Sequence, residues 1–432
     1  MSAPELRRLE LGLLRQQLAY AAASSDFYRE KWLAAGAQPA RVHDLAGLAA
    51  LPFTEKHELQ ASQAARAPFG TNQAAPAVRL VRMQATGGTT GRPLRMGMTR
   101  SDIAVYDEVG ARAAWAAGLR PGDILFECMN FSLYAGGVND LGTFEHLGAC
   151  VAPVGVGNSR RLLEILSDLG VPAALYSTPS YALHLATVAT EAGHRPRDLG
   201  LRRGLFSGDA GLANPAYRAE IEDAWGMVAR NIYGTSETAP VAAECDAADG
   251  LHWMGQGAFL AEFVDPESGA PVEAHDGVTA ELVITTLRRE AHPLIRFRTH
   301  DHVRLTVTPC RCGRSSLRFS VLGRSDDMFI VRGINVFPLA IQDVIDQFRP
   351  ELTGEFRIVL SEPPPLSTPP LMRVEHAPGL DAGRLALVAL RLTERIRQVL
   401  VFSPTVELLA PGSLPRSEQK TRRVLRAWLG EG

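Results

Sequence analysis

The sequence predicts an α/β protein with a large N-terminal unit at 1–322 and a small α+β unit at 323–432. Between about residues 79 and 320, short apolar runs alternate with stretches of helical periodicity. This pattern is typical of layered sheets and helices with mostly parallel strands. Beyond residue 323, two apolar runs flank a proline-rich turn and precede a helix and another strand, an order that suits a small domain.

The individual elements follow from local signals. Ser2 and Glu5 form a capping-box pattern that starts an N-terminal helix. Asp381 can cap a helix of the small unit that has one apolar face. Apolar runs predict strands at 123–126, 173–176, 204–206, 280–284, 356–360, 371–374 and 405–409.

Composition excludes several classes of partner. The net charge of −2 over 432 residues gives no reason to expect nucleic acid or an anionic membrane as a partner. The first ten residues, MSAPELRRLE, lack the apolar core of a signal peptide, and no apolar run approaches the length of a transmembrane span. Five cysteines are an odd count, which favours a reduced, cytoplasmic enzyme.

Residues 85–93 read ATGGTTGRP, a glycine- and threonine-rich loop. A kinase-type P-loop needs a lysine within GxxxxGK[ST], and this loop has none. Its amides and hydroxyls can hold a triphosphate that later releases pyrophosphate, although the loop taken alone could also be an ordinary glycine turn. These groups come from Thr86, Gly87, Gly88, Thr89, Thr90 and Gly91.

Four further patterns follow this loop in a fixed order: NIYGTSET at 231–238, RFRTHD at 296–301, GRSDDMFIVRGINVFP at 323–338 and PRSEQKTRR at 415–423. With them the chain resembles the adenylate-forming superfamily and, within it, the phenylacetate–CoA ligase family of aryl-CoA ligases. The segments LPFTEKHEL at 51–59 and STPSY at 177–181 are also similar to that family. The resemblance covers nearly the whole chain.

The resemblance implies an ATP site with three named roles. Tyr233 would face adenine, Asp301 would hold the ribose hydroxyls by charge-assisted hydrogen bonds, and Glu237 would ligate Mg²⁺ beside phosphate oxygens. Taken alone, NIYGTSET could be the end of a strand with an acidic residue at the surface. Asp301 taken alone could be a turn residue. His300 stands where relatives more often have arginine, and we assign it no catalytic role. The full set of implied nucleotide-binding residues is Thr86, Gly87, Gly88, Thr90, Gly91, Gly208, Asp209, Tyr233, Gly234, Thr235, Asp301 and Arg324, with Thr89 and Glu237 as catalytic residues.

The small unit is expected to carry the catalytic lysine. The resemblance makes Lys420 the ammonium that brings carboxylate and α-phosphate together, although Gln419 precedes it where the family has glycine. Asp326 would be the hinge of the unit, and Gly333 would line the coenzyme A tunnel. Without the resemblance, Lys420 could be a solvated surface lysine, Asp326 could belong to a polar linker, and Gly333 could be a turn glycine.

Two further sites follow from the resemblance and from residue types. The family places its aryl-acid pocket at Phe131, Tyr134 and Gly136, where an aromatic stripe could also be core. Cysteine thiols and one imidazole form the ligand set of a closed structural zinc site, with buried free thiols as the alternative. The zinc ligands would be Cys245, His252, Cys310 and Cys312, whereas Cys128 and Cys150 look like core thiols.

The expected activity is ATP- and Mg²⁺-dependent adenylation of a small aromatic carboxylic acid, followed by transfer of the acyl group to coenzyme A. A carrier-protein thiol or an amine is the alternative acceptor. A homodimer is also expected. A non-catalytic nucleotide-binding or zinc-stabilised scaffold is a hypothesis of another class. Such a scaffold would not need Glu237, Asp301, Arg324 and Lys420 together.

Overall fold

The protein is described by a computed structural model. The described residues form ten α-helices and nineteen β-strands, and none of these helices is both long and apolar enough to cross a membrane. The described ranges are 1–86, 93–133, 135–208, 211–325, 328–331, 334–364, 366, 368–414 and 423–430. The helices are α1 (Ala3–Ser24), α2 (Asp26–Ala34), α3 (Lys56–Ala65), α4 (Arg100–Ala116), α5 (Val138–Leu147), α6 (Ser159–Leu169), α7 (Pro179–Glu191), α8 (Pro215–Trp225), α9 (Pro338–Asp346) and α10 (Ala382–Leu400).

The strands include all seven that the apolar runs predict, with ends shifted by a few residues. They are β1 (Arg82–Ala85), β2 (Arg95–Met98), β3 (Ile124–Glu127), β4 (Cys150–Pro153), β5 (Ala173–Ser177), β6 (Leu201–Phe206), β7 (Val228–Gly234), β8 (Pro240–Glu244), β9 (Leu251–Trp253), β10 (Phe259–Val264), β11 (Thr279–Thr286), β12 (Phe297–Thr306), β13 (Arg318–Arg324), β14 (Phe329–Val331), β15 (Ile334–Val336), β16 (Leu352–Leu360), β17 (Leu371–His376), β18 (Thr405–Leu409) and β19 (Val424–Arg426).

Eleven strands form one sheet in the order β10-β11-β12-β13-β9-β8-β7-β6-β5-β3-β4. Neighbours from β4 to β7 are parallel, and every pair from β7 to β10 is antiparallel. The expectation of mostly parallel strands is therefore wrong for this sheet. Helices separate the parallel strands along the chain, whereas none separates successive strands from β7 to β13, and short connections favour antiparallel pairing.

Helices cover both faces of the parallel part of the sheet. Leu125 packs with α4 and α5, while the next residue, Phe126, packs with α6 and α7, because successive side chains of a strand point to opposite faces. Tyr176 of β5 lies on the α4–α5 face with Phe144. The carboxyl ends of β3, β5, β6 and β7 consequently meet at one edge, where α/β sheets commonly bind ligands.

The small unit has a four-stranded sheet in the order β18-β17-β16-β19. Helix α10 packs Val388, Leu392 and Ile396 into its core. The two predicted caps are present: Asp381 Oδ1 accepts the Arg384 amide at 2.8 Å, and a Glu5 carboxylate oxygen accepts the Ser2 amide at 2.6 Å. An α/β fold with a smaller C-terminal unit is thus confirmed.

The small unit contacts the large one through α9 and α8. Asn214, which caps α8, donates from Nδ2 to Asp346 Oδ2 at 3.0 Å, and Arg349 Nη1 lies 2.5 Å from Glu220 Oε2. Strand β13 stays in the large sheet as far as Arg324, so the predicted division at residue 323 falls just inside that strand. The division itself stays a prediction.

Candidate active site

A cavity of about 740 Å³ opens at the carboxyl ends of the parallel strands. Its walls come from α3, from β5 to β7, from β12 and β13, and from residues of the small unit that include Leu339 and Arg423. Because both units line it, their relative placement determines its shape. The predicted residues in its wall are Thr86, Gly136, Gly208, Tyr233, Gly234, Thr235, Glu237, Asp301 and Arg324.

Asp301 lies between two hydrogen-bond donors. The Tyr233 hydroxyl donates to its Oδ2 at 2.5 Å, and Arg324 Nη1 donates to its Oδ1 at 3.2 Å. These contacts are possible because Tyr233 is the second-last residue of β7, while Asp301 and Arg324 are paired across β12 and β13. Burial, and then the charge of Asp301, raises the pKa of Tyr233 well above its usual value, so the phenol keeps its proton. The arrangement holds a carboxylate ready to accept hydroxyl donors.

The other nucleotide positions in the wall have local roles as well. The Thr86 hydroxyl accepts the Leu94 amide at 3.1 Å and so closes the base of the glycine-rich loop. A Cβ at Gly234 would lie 2.5 Å from the carbonyl oxygen of Ala239, so the close turn after β7 requires glycine. The Tyr233 ring meets Phe319 edge-on, with centroids 5.5 Å apart. Its stacking on adenine stays a prediction.

Glu237 is 5% exposed and forms an ion pair with Lys56, whose Nζ lies 2.9 Å from Oε1. Burial alone would raise the pKa of Glu237, but the charge and hydrogen bond of Lys56 outweigh it, and the pKa is lower than usual. Lys56 was missed as a functional residue, although it lies within LPFTEKHEL. The sequence does contain a signal for Lys56. The chain has only three lysines, at positions 31, 56 and 420, against a lysine plus arginine total of 45, so a lysine within a family-like segment stands out.

His300 is part of a charged network beside Lys56. Its Nε2 donates to Glu55 Oε2 at 2.8 Å, and this hydrogen bond raises the pKa of His300 above its usual value. Arg298 contacts the same glutamate at 3.6 Å. His300 has φ 60°, a conformation that residues other than glycine seldom adopt and that often marks functional sites. The network fixes the start of α3, and with it Lys56.

The predicted acid pocket is only partly in the cavity wall. Gly136 lines the cavity, whereas Phe131 is not among the lining residues, and its ring lies against Gly155. The assignment of Phe131 to the pocket stays a prediction that the ring position does not support. The wall instead includes residues of α4, α5 and β5 that sequence reasoning missed: Tyr106, Asp140 and Tyr176.

A separate cluster joins the ends of β8 and β9 to the loop between β12 and β13. The ligand atoms of its four residues lie within 4.8 Å of one another, with 3.7 Å between the sulfurs of Cys245 and Cys310 and 3.4 Å from Cys312 Sγ to His252 Nε2. A zinc tetrahedron with Zn–S of about 2.3 Å and Zn–N of about 2.05 Å has S–S edges of about 3.8 Å and S–N edges of about 3.6 Å. The residues therefore fit Zn²⁺.

Two details of the protein support the same fit. The other ring nitrogen of His252, Nδ1, lies 3.1 Å from the Ser316 hydroxyl, the kind of contact that orients a metal-binding imidazole. Burial lowers the pKa of His252 to about 4, so the ring is neutral. Cys128 is buried as expected, but the expectation for Cys150 is wrong: its side chain is exposed, because it begins the edge strand β4.

Several predicted site residues lie outside the described residues. They are Gly87, Gly88, Thr89, Thr90, Gly91, Tyr134, Asp209, Asp326, Gly333 and Lys420.

The sequence is similar to known proteins both in its C-terminal part and over nearly its whole length. The family described as the AMP-binding enzyme C-terminal domain matches residues 333–427. The chain is 35% identical to the phenylacetate-coenzyme A ligase of Thermus thermophilus, over 98% of this chain and 96% of that protein.

Two solved structures of one relative, 2-hydroxyisobutyryl-CoA ligase, are similar to this chain, and they represent two states of that enzyme. The structure of 2-hydroxyisobutyryl-CoA ligase in the postadenylation state with 2-HIB-AMP has a TM-score of 0.91 at 34% identity, covering 99% of this chain and 90% of that one. The thioesterification-state structure of the same ligase, with 2-HIB-AMP and CoA, has a TM-score of 0.73 at 35% identity and the same coverage. The chain as a whole is therefore more similar to the postadenylation-state structure than to the thioesterification-state structure.

Proposed function

The chain belongs to the phenylacetate–coenzyme A ligase family, and from that membership we propose that it activates a small aromatic carboxylic acid with ATP and passes the acyl group to coenzyme A. In the first step the acid's carboxylate attacks the α-phosphorus, the bond to the bridging oxygen breaks, and acyl-AMP and pyrophosphate form. In the second step the thiolate of coenzyme A attacks the acyl carbonyl and AMP leaves with the electron pair of the broken C–O bond.

The observation that carries this proposal is the placement of Asp301. Its carboxylate lies in the cavity wall between Tyr233 and Arg324, each bonded to a different oxygen. A carboxylate has about four lone-pair sites, and this one borders the cavity, where the two hydroxyls of a ribose can reach it. Arg324 lines the cavity next to Asp301 and can serve there as a cation for the phosphates. A carboxylate for the ribose beside a cation for the phosphates suits nucleotide binding.

Glu237 fits a magnesium ligand, since it is a carboxylate in the cavity wall and its pKa is lowered. Mg²⁺ would neutralise charge on the phosphate oxygens when it is bound there. The chain's own contribution is the cation of Lys56, which lies against the same carboxylate and can move toward the phosphates when Glu237 is engaged.

The remaining machinery is proposed from the family motifs. Thr89 and the glycine-rich loop would hold the β- and γ-phosphates, and Lys420 would neutralise the charge that develops between carboxylate and α-phosphate. Asp326 would be the hinge for the change between adenylation and thioester formation, with Gly333 beside the pantetheine. A relative that is 34–35% identical has been solved in a postadenylation and in a thioesterification state, and these two states support such an alternation.

The cysteine and histidine cluster is proposed to hold a structural Zn²⁺. Four protein ligands would close the coordination sphere, which is typical of structural sites. The metal would tie the strand that follows the Glu237 motif to the loop before β13 and would take no part in the reaction. A homodimer and a cytoplasmic location stay predictions that sizing and fractionation can test.

The test is product analysis. The purified protein, ATP and Mg²⁺ are incubated with a panel of benzoates and phenylacetates, with and without coenzyme A. We expect AMP, pyrophosphate and, with coenzyme A, an acyl thioester. Products of ADP and phosphate would overturn the proposal. The names of the relatives favour coenzyme A over a carrier-protein thiol or an amine, and turnover with one of those acceptors but not with coenzyme A would reverse that preference.

A further inference from the structure

The cavity has a second polar end, formed by Asp140 and two tyrosines. The Tyr106 hydroxyl donates to Asp140 Oδ1 at 2.7 Å, and the Tyr176 hydroxyl donates to Oδ2. All three side chains are at most 3% exposed, yet all three line the cavity. Burial raises the pKa of Asp140 to about 6 against the lowering effect of the two hydrogen bonds, so the carboxylate is ionised at neutral pH. A fixed negative charge therefore borders the space for the substrates.

Gly136 leaves the approach to this carboxylate open. A Cβ at this position would lie 3.7 Å from Asp140 Oδ2 and 3.1 Å from Met129 Cε. Gly136 is not among the glycines with positive φ, so the backbone does not require glycine here. A side chain here would press on Met129 Cε and would stand in van der Waals contact with Oδ2, so glycine leaves the space beside Oδ2 unfilled. Other parts of the nearby wall are apolar, and they come from Cys128, Met129, Ala135 and Ala239.

A second acid lies on the same face of the sheet. Glu127 is fully buried, and neither of its carboxyl oxygens has a hydrogen-bond partner among the described residues. Burial, followed by the charge of Asp140, raises the pKa of Glu127 to about 10, so it keeps its proton at neutral pH. The negative charge at this end of the cavity is thus carried by Asp140. Its carboxylate can accept more hydrogen bonds than the two that the tyrosine hydroxyls donate.

The anionic parts of the substrates do not suit this end of the cavity. Phosphates and the acid's carboxylate would be repelled by Asp140 and find cations at Lys56 and Arg324 instead. An unsubstituted ring would cover the carboxylate with carbon and deprive it of water, which is unfavourable. A carboxylate that is buried from solvent but lines the cavity is best paired with a hydrogen-bond donor on the bound substrate.

We propose that the acid substrate carries a hydroxyl or amino group, apart from its carboxylate, that donates a hydrogen bond to Asp140. This inference rests on the proposed function and specifies its substrate. Tyr106 and Tyr176 are positioning residues that hold Asp140, and Gly136 admits the donor. Sites built to bind a substrate hydroxyl discriminate strongly against analogues that lack it, because the protein group is then left unpaired.

The experiment compares matched acids. Hydroxy-, amino-, methoxy- and methyl-substituted benzoates and phenylacetates, at each ring position, are assayed by pyrophosphate release. At one ring position we expect the hydroxy or amino acid to exceed its methyl analogue in kcat/KM by about a hundredfold or more. The methoxy analogue should be as poor as the methyl one, because it cannot donate. The hydroxy and amino arms distinguish the two kinds of donor.

Variants connect the preference to Asp140. In Asp140→Ala the ratio of kcat/KM for donor and methyl acids should fall to about tenfold or less, and in Asp140→Asn it should fall part of the way. The ratio is measured on one preparation, so it does not depend on the fraction that folds. Asp107 is a half-buried acid of α4 outside the cavity wall, and Asp107→Asn should keep the wild-type ratio.

The possible failures are distinguishable. If methyl or unsubstituted acids are the best substrates at every position, or if Asp140→Ala keeps the wild-type ratio, the inference is overturned while the proposed function stands. If no acid of the panel releases pyrophosphate, both are overturned.

Discussion

Lys56 Nζ lies 2.9 Å from Glu237 Oε1, so the carboxylate expected to ligate Mg²⁺ is held by a cation of the protein itself. Lysine suits this position because its ammonium is a compact charge on a flexible stem that can change partners. Lys56 also begins α3, whose preceding residue is fixed by His300. If Glu237 ligates Mg²⁺ as proposed, the metal ion and Lys56 compete for it.

The competition predicts opposite effects of two substitutions on the Mg²⁺ requirement. Lys56→Ala should lower the Mg²⁺ concentration for half-maximal adenylation several-fold, because the competing charge is gone. Glu237→Gln should raise it about tenfold, since an amide is a weaker ligand than a carboxylate. Pyrophosphate release against free Mg²⁺ at fixed ATP measures both. The control is Lys31→Ala, because Lys31 pairs with Glu58 outside the cavity wall. Equal shifts in the same direction would contradict the competition.

The Asp301 arrangement predicts selectivity for the ribose hydroxyls. Asp301→Ala should raise the KM for ATP by roughly ten- to a hundredfold, as expected for losing a charge-assisted hydrogen bond worth about 1.5–3 kcal/mol. Tyr233→Phe should have a smaller effect, because Arg324 still holds the carboxylate. Steady-state kinetics with ATP and its 2′- and 3′-deoxy analogues measure the selectivity.

The analogues also provide the control. Wild-type enzyme should discriminate against at least one of them, and Asp301→Ala should discriminate less. If the wild-type enzyme used both deoxy analogues as well as ATP, Asp301 would not bind the ribose.

How far the sequence predicts this molecule depends on whether a feature is local. The caps at Ser2 and Asp381 and the seven strands each lie in a contiguous pattern, and the structure has them where they were expected. The directions of the strands after β7 were predicted wrongly, because the parallel expectation was extended past β7, where short connections without helices favour antiparallel pairing. The contact of Asp140 with Tyr106 and Tyr176 was also missed, since it joins three separate elements. No local pattern indicates which aromatic residues face a cavity.

The cysteine and histidine cluster predicts a bound metal. Purified protein should contain about one zinc per chain, and Cys312→Ser should lose most of it and unfold at a lower temperature, because one of four ligands is removed. Elemental analysis and thermal denaturation give the two readouts. Cys150→Ser is the control, since this thiol is exposed and lies outside the cluster. A metal-free wild-type protein of full stability would contradict the assignment.

Glu127 predicts a pH-dependent loss of stability. Its pKa is about 10 in the folded protein and near 4.5 when the chain is unfolded, so the folded state binds a proton that the unfolded state releases. The wild-type protein should lose up to about 1.4 kcal/mol of unfolding free energy per pH unit between these values through this group alone. Glu127→Gln has no such proton. Its unfolding midpoint should equal that of wild type near pH 4.5 and exceed it increasingly toward pH 8.

Thermal denaturation of both proteins across this pH range measures the difference. Glu30 is exposed on α2, and Glu30→Gln is the matched control for the loss of one glutamate at the surface. A difference between Glu127→Gln and wild type that does not change with pH would contradict a buried neutral carboxyl.

The last prediction separates the two half-reactions. Lys420→Ala should slow acyl-AMP formation by about a hundredfold or more, because a charge aimed at the transition state is worth on the order of 3 kcal/mol. Thioester formation from supplied acyl-AMP and coenzyme A should survive, because the turn of the small unit carries this residue away. Asp326→Pro should do the reverse, since fixing φ stiffens the hinge and leaves the adenylating arrangement usable. Both rates are measured for each variant, with Lys31→Ala as the lysine control. If Lys420→Ala were as defective with supplied acyl-AMP as in the overall reaction, one arrangement would have to serve both steps, and the alternation of the two units would be wrong for this enzyme.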